Sequence, residues 1–206
     1  MRVTVVDHGA GNLRSLVRAL EHVGADVAVT TEPSDVATAA RLVLPGQGAF
    51  SDCMRRLRHA GLDDAVRAHV AAERPYLGIC LGLQVLFERG QEHGTQAGLG
   101  VLRGEVLPLE RAAGLKIPHM GWNQVRFPGA ALPGLEAGGY YYFVHSYHVV
   151  PTEPLNGALN LALTEHGALF VSAVRRGALW ATQFHPEKSH RLGLALLGAW
   201  LADAET

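Results

Sequence analysis

The chain reads as an α/β protein with a mostly parallel central sheet, helices on both faces, and an antiparallel extension in its second half. Three observations predict this. Up to Gly98, short β-branched or wholly apolar runs alternate with stretches of helical periodicity; beyond it come short apolar runs punctuated by glycine and proline; and a Gly-Xaa-Cys-Xaa-Gly segment sits where a strand hands over to a helix. No linker, charge run or internal repeat divides the sequence, so residues 1–206 are expected to form one domain.

In order, Val3 to Val6 is a β-branched strand broken by Gly9-Ala10-Gly11-Asn12, and Leu13, Leu16, Val17, Leu20 and Val23 then recur with helical spacing before Gly24. Val27 to Thr30 and Leu42 to Leu44 are the second and third strands. Pro45-Gly46-Gln47-Gly48 turns into a helix expected from Ser51 to Glu73, which Pro75 ends. Tyr76 to Ile79 is a fourth strand leading through Cys80 into a helix from Leu81 to about Arg89. The hairpin-like runs are Gly104 to Val106, Gln124 to Phe127, Tyr140 to Val150, Leu159 to Leu163, Ala168 to Val174 and Leu179 to Phe184. Ser189 is expected to cap a last helix through Leu192, Leu196, Leu197 and Leu201.

Composition narrows the function. With 18 Lys+Arg against 19 Asp+Glu the net charge is −1, which offers no basic field for nucleic acid. The longest apolar run, Leu192 to Ala202, falls short of the ~20 residues of a membrane span, and Asp7 interrupts the N-terminus too early for a secretory segment. A soluble, cytoplasmic protein follows, with Cys53 and Cys80 as free thiols.

Gly78-Ile79-Cys80-Leu81-Gly82 carries the chemistry. It fits the nucleophile elbow with Cys in place of Ser: a sharp turn lifts the thiol above the sheet, flanking glycines avoid a collision, and the helix start favours the thiolate that attacks. Cys53, without such a frame, is expected to be structural. Among 11 histidines the informative one is His185, which follows an apolar strand. Glu187, two residues on, would share its face in an extended backbone and hold the tautomer that takes a proton from the thiol. The N–H of Leu81 is the expected first oxyanion donor, and Pro45-Gly46-Gln47-Gly48 the source of a second, which a glycine-permitted peptide flip would make conditional. His22, His59, His69 and His93 read as solvated surface, as do Arg55-Arg56-Xaa-Arg58 and Arg175-Arg176.

Other motifs fail. Arg14 replaces the third glycine of a dinucleotide fingerprint, no P-loop, zinc-protease or paired-cysteine signature is present, and His145 and His148, three apart on an alternating strand, should face opposite sides.

Leu44-Pro45-Gly46, Gly78 to Gln84 and His185-Pro186-Glu187 together resemble the class I (triad) glutamine amidotransferases, whose domain is flavodoxin-like. Within them, Gly9 to Ser15, Pro45 to Phe50, His119-Met120-Gly121-Trp122-Asn123, Tyr142 to Tyr147 and Gln183 to Ser189 are similar to the glutaminase subunits of imidazole glycerol phosphate synthases in histidine biosynthesis. The resemblance implies a triad of Cys80, His185 and Glu187. It implies glutamine binding by Gly46, Gln84, Glu92, Ser146 and Tyr147, and oxyanion donors on Leu81 and Gln47. It places Asn12, Trp122, Asn123 and Lys188 toward a (β/α)8-barrel partner that receives ammonia through a tunnel. It implies neither metal nor organic cofactor. Two positions depart from the family pattern, His8 where Tyr is usual, near the interface, and Gln47 where Val is usual. Three alternatives stay open: a glutaminase serving anthranilate or pyridoxal phosphate synthesis, a catalytically silent regulatory subunit, and a stand-alone cysteine hydrolase.

Overall fold

The computed structural model describes residues 1–10, 13–111, 114–127, 138–152 and 159–203. The first half runs β1 (Arg2–Val6), α1 (Leu13–His22), β2 (Asp26–Thr30), α2 (Pro33–Thr38), β3 (Leu42–Leu44), α3 (Phe50–His59), α4 (Leu62–Ala71), β4 (Tyr76–Ile79) and α5 (Leu81–Gln84). Then follow β5 (Phe87–Gly90), β6 (Gln96–Ala97), β7 (Leu102–Pro108), β8 (His119–Arg126), β9 (Gly138–His145), β10 (Tyr147–Pro151), β11 (Asn160–His166), β12 (Ala168–Arg176), β13 (Leu179–Thr182) and α6 (His190–Asp203).

The strands join in one sheet ordered β2-β1-β3-β4-β13-β12-β10-β7-β5-β6, with β11, β8 and β9 branching from β12. From β2 to β13 every pairing is parallel. From β13 through β12 and β10 to β7 every pairing is antiparallel. The predicted class is therefore the observed one. Side chains alternate across the parallel half as a pleated strand requires. Leu42, Leu44 and Tyr76 enter the core beneath α2, α3 and α4, whereas Val43, Leu77 and Ile79 enter the core beneath α1 and α6. No helix among the described residues is long and apolar enough to cross a membrane.

Four local expectations change. The helix expected over Ser51 to Glu73 is two helices, because Gly61 takes the left-handed conformation at φ 67° and starts α4 afresh. The helix expected to reach Arg89 ends at Gln84, and Phe87–Gly90 instead pairs in parallel with β7; the N–H of Leu99 and that of Val101 bind the carbonyls of Val85 and Leu86, so nonlocal pairing overrides the local pattern. Helix α2 was not anticipated, although Pro33 at its first turn and Asp35 are ordinary start signals. His69 is fully buried rather than solvated, its Nε2 on the Pro75 carbonyl at 3.0 Å.

Candidate active site

Three neighbouring parallel strands, β3, β4 and β13, end at the same edge of the sheet, and the residues just past their carboxyl ends converge there. This is the crevice in which doubly wound sheets hold ligands. A cavity of about 350 Å³ opens at that edge, lined by Gln47, Cys80, Gln84, Glu92, Ser146, Tyr147, His185 and Lys188 among others. A larger groove of about 1040 Å³ lies at the opposite ends of β4 and β13, beside Arg67, Arg74 and Leu179, and contains no nucleophile.

Cys80 sits at φ 55° and ψ −103°, a region non-glycine residues avoid, and so forms the sharp elbow the sequence predicted. Its N–H donates to the Thr182 carbonyl at 2.7 Å, which fixes the turn to β13. The glycines are obligatory by contact: a Cβ on Gly78 would collide with the carbonyl oxygen of Gly82, and one on Gly82 with that of Leu44. A Cβ on Gly46 would lie 2.5 Å from the Cβ of Leu81, so only glycine lets the loop after β3 lie against the elbow. Leu81 opens α5, where an N–H has no carbonyl one turn back to bind.

His185 is 2% exposed and its Nδ1 is 2.8 Å from Oε1 of Glu187. The contact forms as expected but by another route. Glu187 lies in a single 3-10 turn, Pro186–Lys188, and the turn rather than an extended backbone folds the carboxylate onto the ring. Burial pushes the His185 imidazole down, but hydrogen bonding and charge from Cys80 and Glu187 outweigh it and lift the pKa to about 9. Nε2 of His185, on the other side of the ring, is buried without a well-formed hydrogen bond.

The remaining expected residues fall into place unevenly. Gln84 lines the cavity but spends its amide N–H groups on the Tyr147 carbonyl at 3.0 Å and Oε1 of Gln183 at 2.9 Å. Glu92 lines it while its carboxylate accepts the Phe50 N–H at 2.6 Å, closing the start of α3. Ser146 and Tyr147 mark the break between β9 and β10. Lys188 reaches the cavity wall with its ammonium 5.9 Å from the Tyr142 ring centre. Trp122 is 46% exposed and stacks on His190, whereas Asn123 lies on the other face of β8 and is bonded inward. Asn12 lies outside the described residues. Cys53 is buried, and burial pushes its thiol up to about 12, which suits a structural residue.

Five further residues take places the sequence does not disclose. Gln183 donates to Cys80 Sγ at 3.5 Å. His8 is buried and its Nε2 donates to the Pro45 carbonyl at 3.0 Å, tying the end of β1 to the loop after β3. The Ser189 hydroxyl donates to the His185 carbonyl at 2.6 Å and accepts the Tyr142 N–H at 3.0 Å, instead of capping α6. His145 and His148 both pack on Phe170, because the strand breaks between them at Ser146 and the alternation is lost.

The glutamine amidotransferase class-I family model matches residues 4–199. Imidazole glycerol phosphate synthase subunit HisH of Rhodopirellula baltica is 49% identical over 197 residues, 95% of this chain and 94% of its own length. The subunit HisH of Aquifex aeolicus is 48% identical, over 100% of this chain and 98% of its own length. The crystal structure of a glutamine amidotransferase matches with a TM-score of 0.73 at 22% identity over 98% of this chain and 99% of that one. PurLQS from Thermotoga maritima matches with a TM-score of 0.72 at 16% identity over 99% and 97%. These two likenesses speak to the fold, and the family model and the sequence relatives to descent: the chain belongs to the glutamine amidotransferase class-I family.

Proposed function

We propose that the chain is the glutaminase subunit of an imidazole glycerol phosphate synthase, acting as a single domain over residues 1–206 in the cytoplasm. The relatives named above carry that subunit's name along nearly their whole length. The observation that carries the chemistry is a cysteine on a strained elbow beside a buried histidine whose far nitrogen is held by a carboxylate at 2.8 Å.

The Cys80 thiolate attacks the side-chain amide carbon of glutamine. The oxyanion is received by the N–H groups of Leu81 and Gln47, each such donor being worth roughly 3 kcal/mol in the transition state. The C–N bond then breaks, His185 gives its proton to the departing nitrogen, and ammonia leaves from a glutamyl thioester. Water attacks the thioester, His185 takes its proton, and glutamate is released with the thiolate restored. Glu187 keeps Nδ1 of His185 protonated and oriented, so that Nε2 is the atom that moves the proton. Gly46, Gln84, Glu92, Ser146 and Tyr147 line the seat of the substrate.

Ammonia passes to a partner subunit, a (β/α)8-barrel cyclase that makes imidazole glycerol phosphate and an aminoimidazole carboxamide ribotide. Trp122, Lys188 and Asn12 are assigned to that side of the chain, whereas Asn123, on the face of β8 opposite Trp122, is bonded within the chain. The glutaminase needs no metal or organic cofactor. A chloromethyl ketone analogue of glutamine tests the reading: its carbon should bond to Cys80 Sγ with loss of chloride, located by peptide mass spectrometry, and excess glutamine should protect. Labelling of Cys53 instead, or labelling that glutamine does not slow, would overturn it.

A further inference from the structure

Behind the cleft, β8 and β9 place His119 directly opposite His145, and both rings are buried. His145 Nδ1 is 2.8 Å from the Tyr147 carbonyl, His145 Nε2 is 3.0 Å from His119 Nδ1, and His119 Nε2 is 3.2 Å from the side-chain nitrogen of Asn123, four residues along the same face of β8. The protons can be assigned from the ends of this chain. A carbonyl only accepts, so His145 Nδ1 carries hydrogen. Burial pushes His145 down to about 3 and His119 down to about 4, so both rings are neutral and Nε2 of His145 is a bare acceptor. His119 must then donate from Nδ1 and accept at Nε2. Asn123 meets that need in only one orientation, and its other contacts impose the same one: its oxygen accepts the Gln124 N–H at 2.7 Å and its nitrogen donates to the Glu165 carbonyl at 2.8 Å.

Every bond thus points one way, from Asn123 through His119 and His145 to the Tyr147 carbonyl. The same carbonyl receives Gln84, which also donates to Gln183, which in turn donates to Cys80 Sγ. We propose that Asn123, His119 and His145 are positioning residues for glutamine hydrolysis: their one-way chain of hydrogen bonds holds the Tyr147 carbonyl, and with it Gln84 and Gln183, where the substrate seat and the nucleophile need them. The inference rests on the glutaminase reading above and adds three residues, of which His145 borders the cavity and His119 and Asn123 stand behind it.

Packing and hydrogen bonding make opposite demands at His119, which permits a decisive test. His119 stacks on His166 at 4.1 Å and on Phe143 at 4.7 Å, so His119→Phe preserves the stack and removes both nitrogens, while His119→Asn sacrifices the stack but keeps a donor where Nδ1 stood. In the complex with the barrel partner, His119→Phe should raise KM for glutamine by ~10-fold, the scale of one buried donor lost, and His119→Asn should stay within ~3-fold of the parent. Phe at parental KM, or Asn impaired as much as Phe, would overturn the proposal. If His119→Phe does not fold, the same Phe-against-Asn comparison at His145 decides, since there too Asn keeps the donor at the Nδ1 position. A parent that hydrolyses no glutamine would overturn the glutaminase reading itself, whereas an active parent with indifferent variants overturns only the positioning chain.

Discussion

Cys80 occupies a backbone conformation that costs a non-glycine residue about 1–3 kcal/mol, and its surroundings over-determine it through the Thr182 carbonyl and the glycines at either side. The thiol is thereby presented to His185, whose proton Cys80 and Glu187 together hold up to a pH of about 9. In the proposed mechanism acylation needs that proton for the leaving nitrogen, so glutamine turnover should fall as the pH rises through about 9. Glu187→Gln removes one of the two charges that retain it and should bring the alkaline fall to lower pH; an unmoved limb in a rate–pH profile would contradict the assignment. His185→Ala should cost roughly 10⁴-fold or more in glutamine-dependent turnover and Glu187→Gln at least tenfold less, since orienting a base contributes less than being one. Cys80, His185 and Glu187 were legible in the sequence because each belongs to a short motif with a mechanical reason for its spacing. His8, Gln183 and Ser189 were not, because their partners Pro45, Cys80 and Tyr142 come from other elements and meet them only through sheet register.

Elements place the chemistry by ending together. β3, β4 and β13 are adjacent and parallel, so the loop after β3, the elbow after β4 and the histidine after β13 reach one cleft without long excursions. The loop after β3 is held from below by His8 on Pro45 and from the side by the Gly46 contact with Leu81, and the proposed mechanism takes the Gln47 N–H of this loop as its oxyanion donor. Gln47→Pro removes that N–H and nothing else the backbone donates there. If the flip the glycines permit turns this N–H to the oxyanion only when the partner is bound, the substitution should lower glutamine turnover of the complex by roughly a hundredfold and that of the isolated chain little; equal losses in both states, by steady-state assay, would contradict a conditional donor. The parallel strands were legible from apolar runs bounded by glycine and proline, with β3 and β4 found to the residue. The end of α5 was not, because Val85, Leu86 and Phe87 fit a buried helix as well as a strand and the choice is made by β7 and the Gly98 turn, remote in sequence.

Across the whole molecule, an apolar interior encloses a polar seam behind the cleft, and that seam sets how stability responds to acid. His119 and His145 are neutral when folded, at about 4 and about 3, against 6.5 when unfolded. Between those values the unfolded chain binds more protons at these two rings, so their contribution to stability is complete above about 6.5 and falls as the pH drops below it. The urea midpoint should therefore decrease between pH 7 and pH 5, and an unchanged midpoint would contradict the neutral seam. The parallel half and its antiparallel extension were readable as a change of texture after Gly98, but the branch of β11, β8 and β9 off β12 was not, since antiparallel runs do not announce their partners. The central claim is a division of labour between a chain that frees ammonia at Cys80 and a partner that consumes it. The most direct test is synthesis of imidazole glycerol phosphate by the complex carrying Cys80→Ala, supplied in parallel with glutamine and with an ammonium salt. The predicted result is no product from glutamine and parental product from ammonium; product from glutamine, or loss of both activities, would contradict the account.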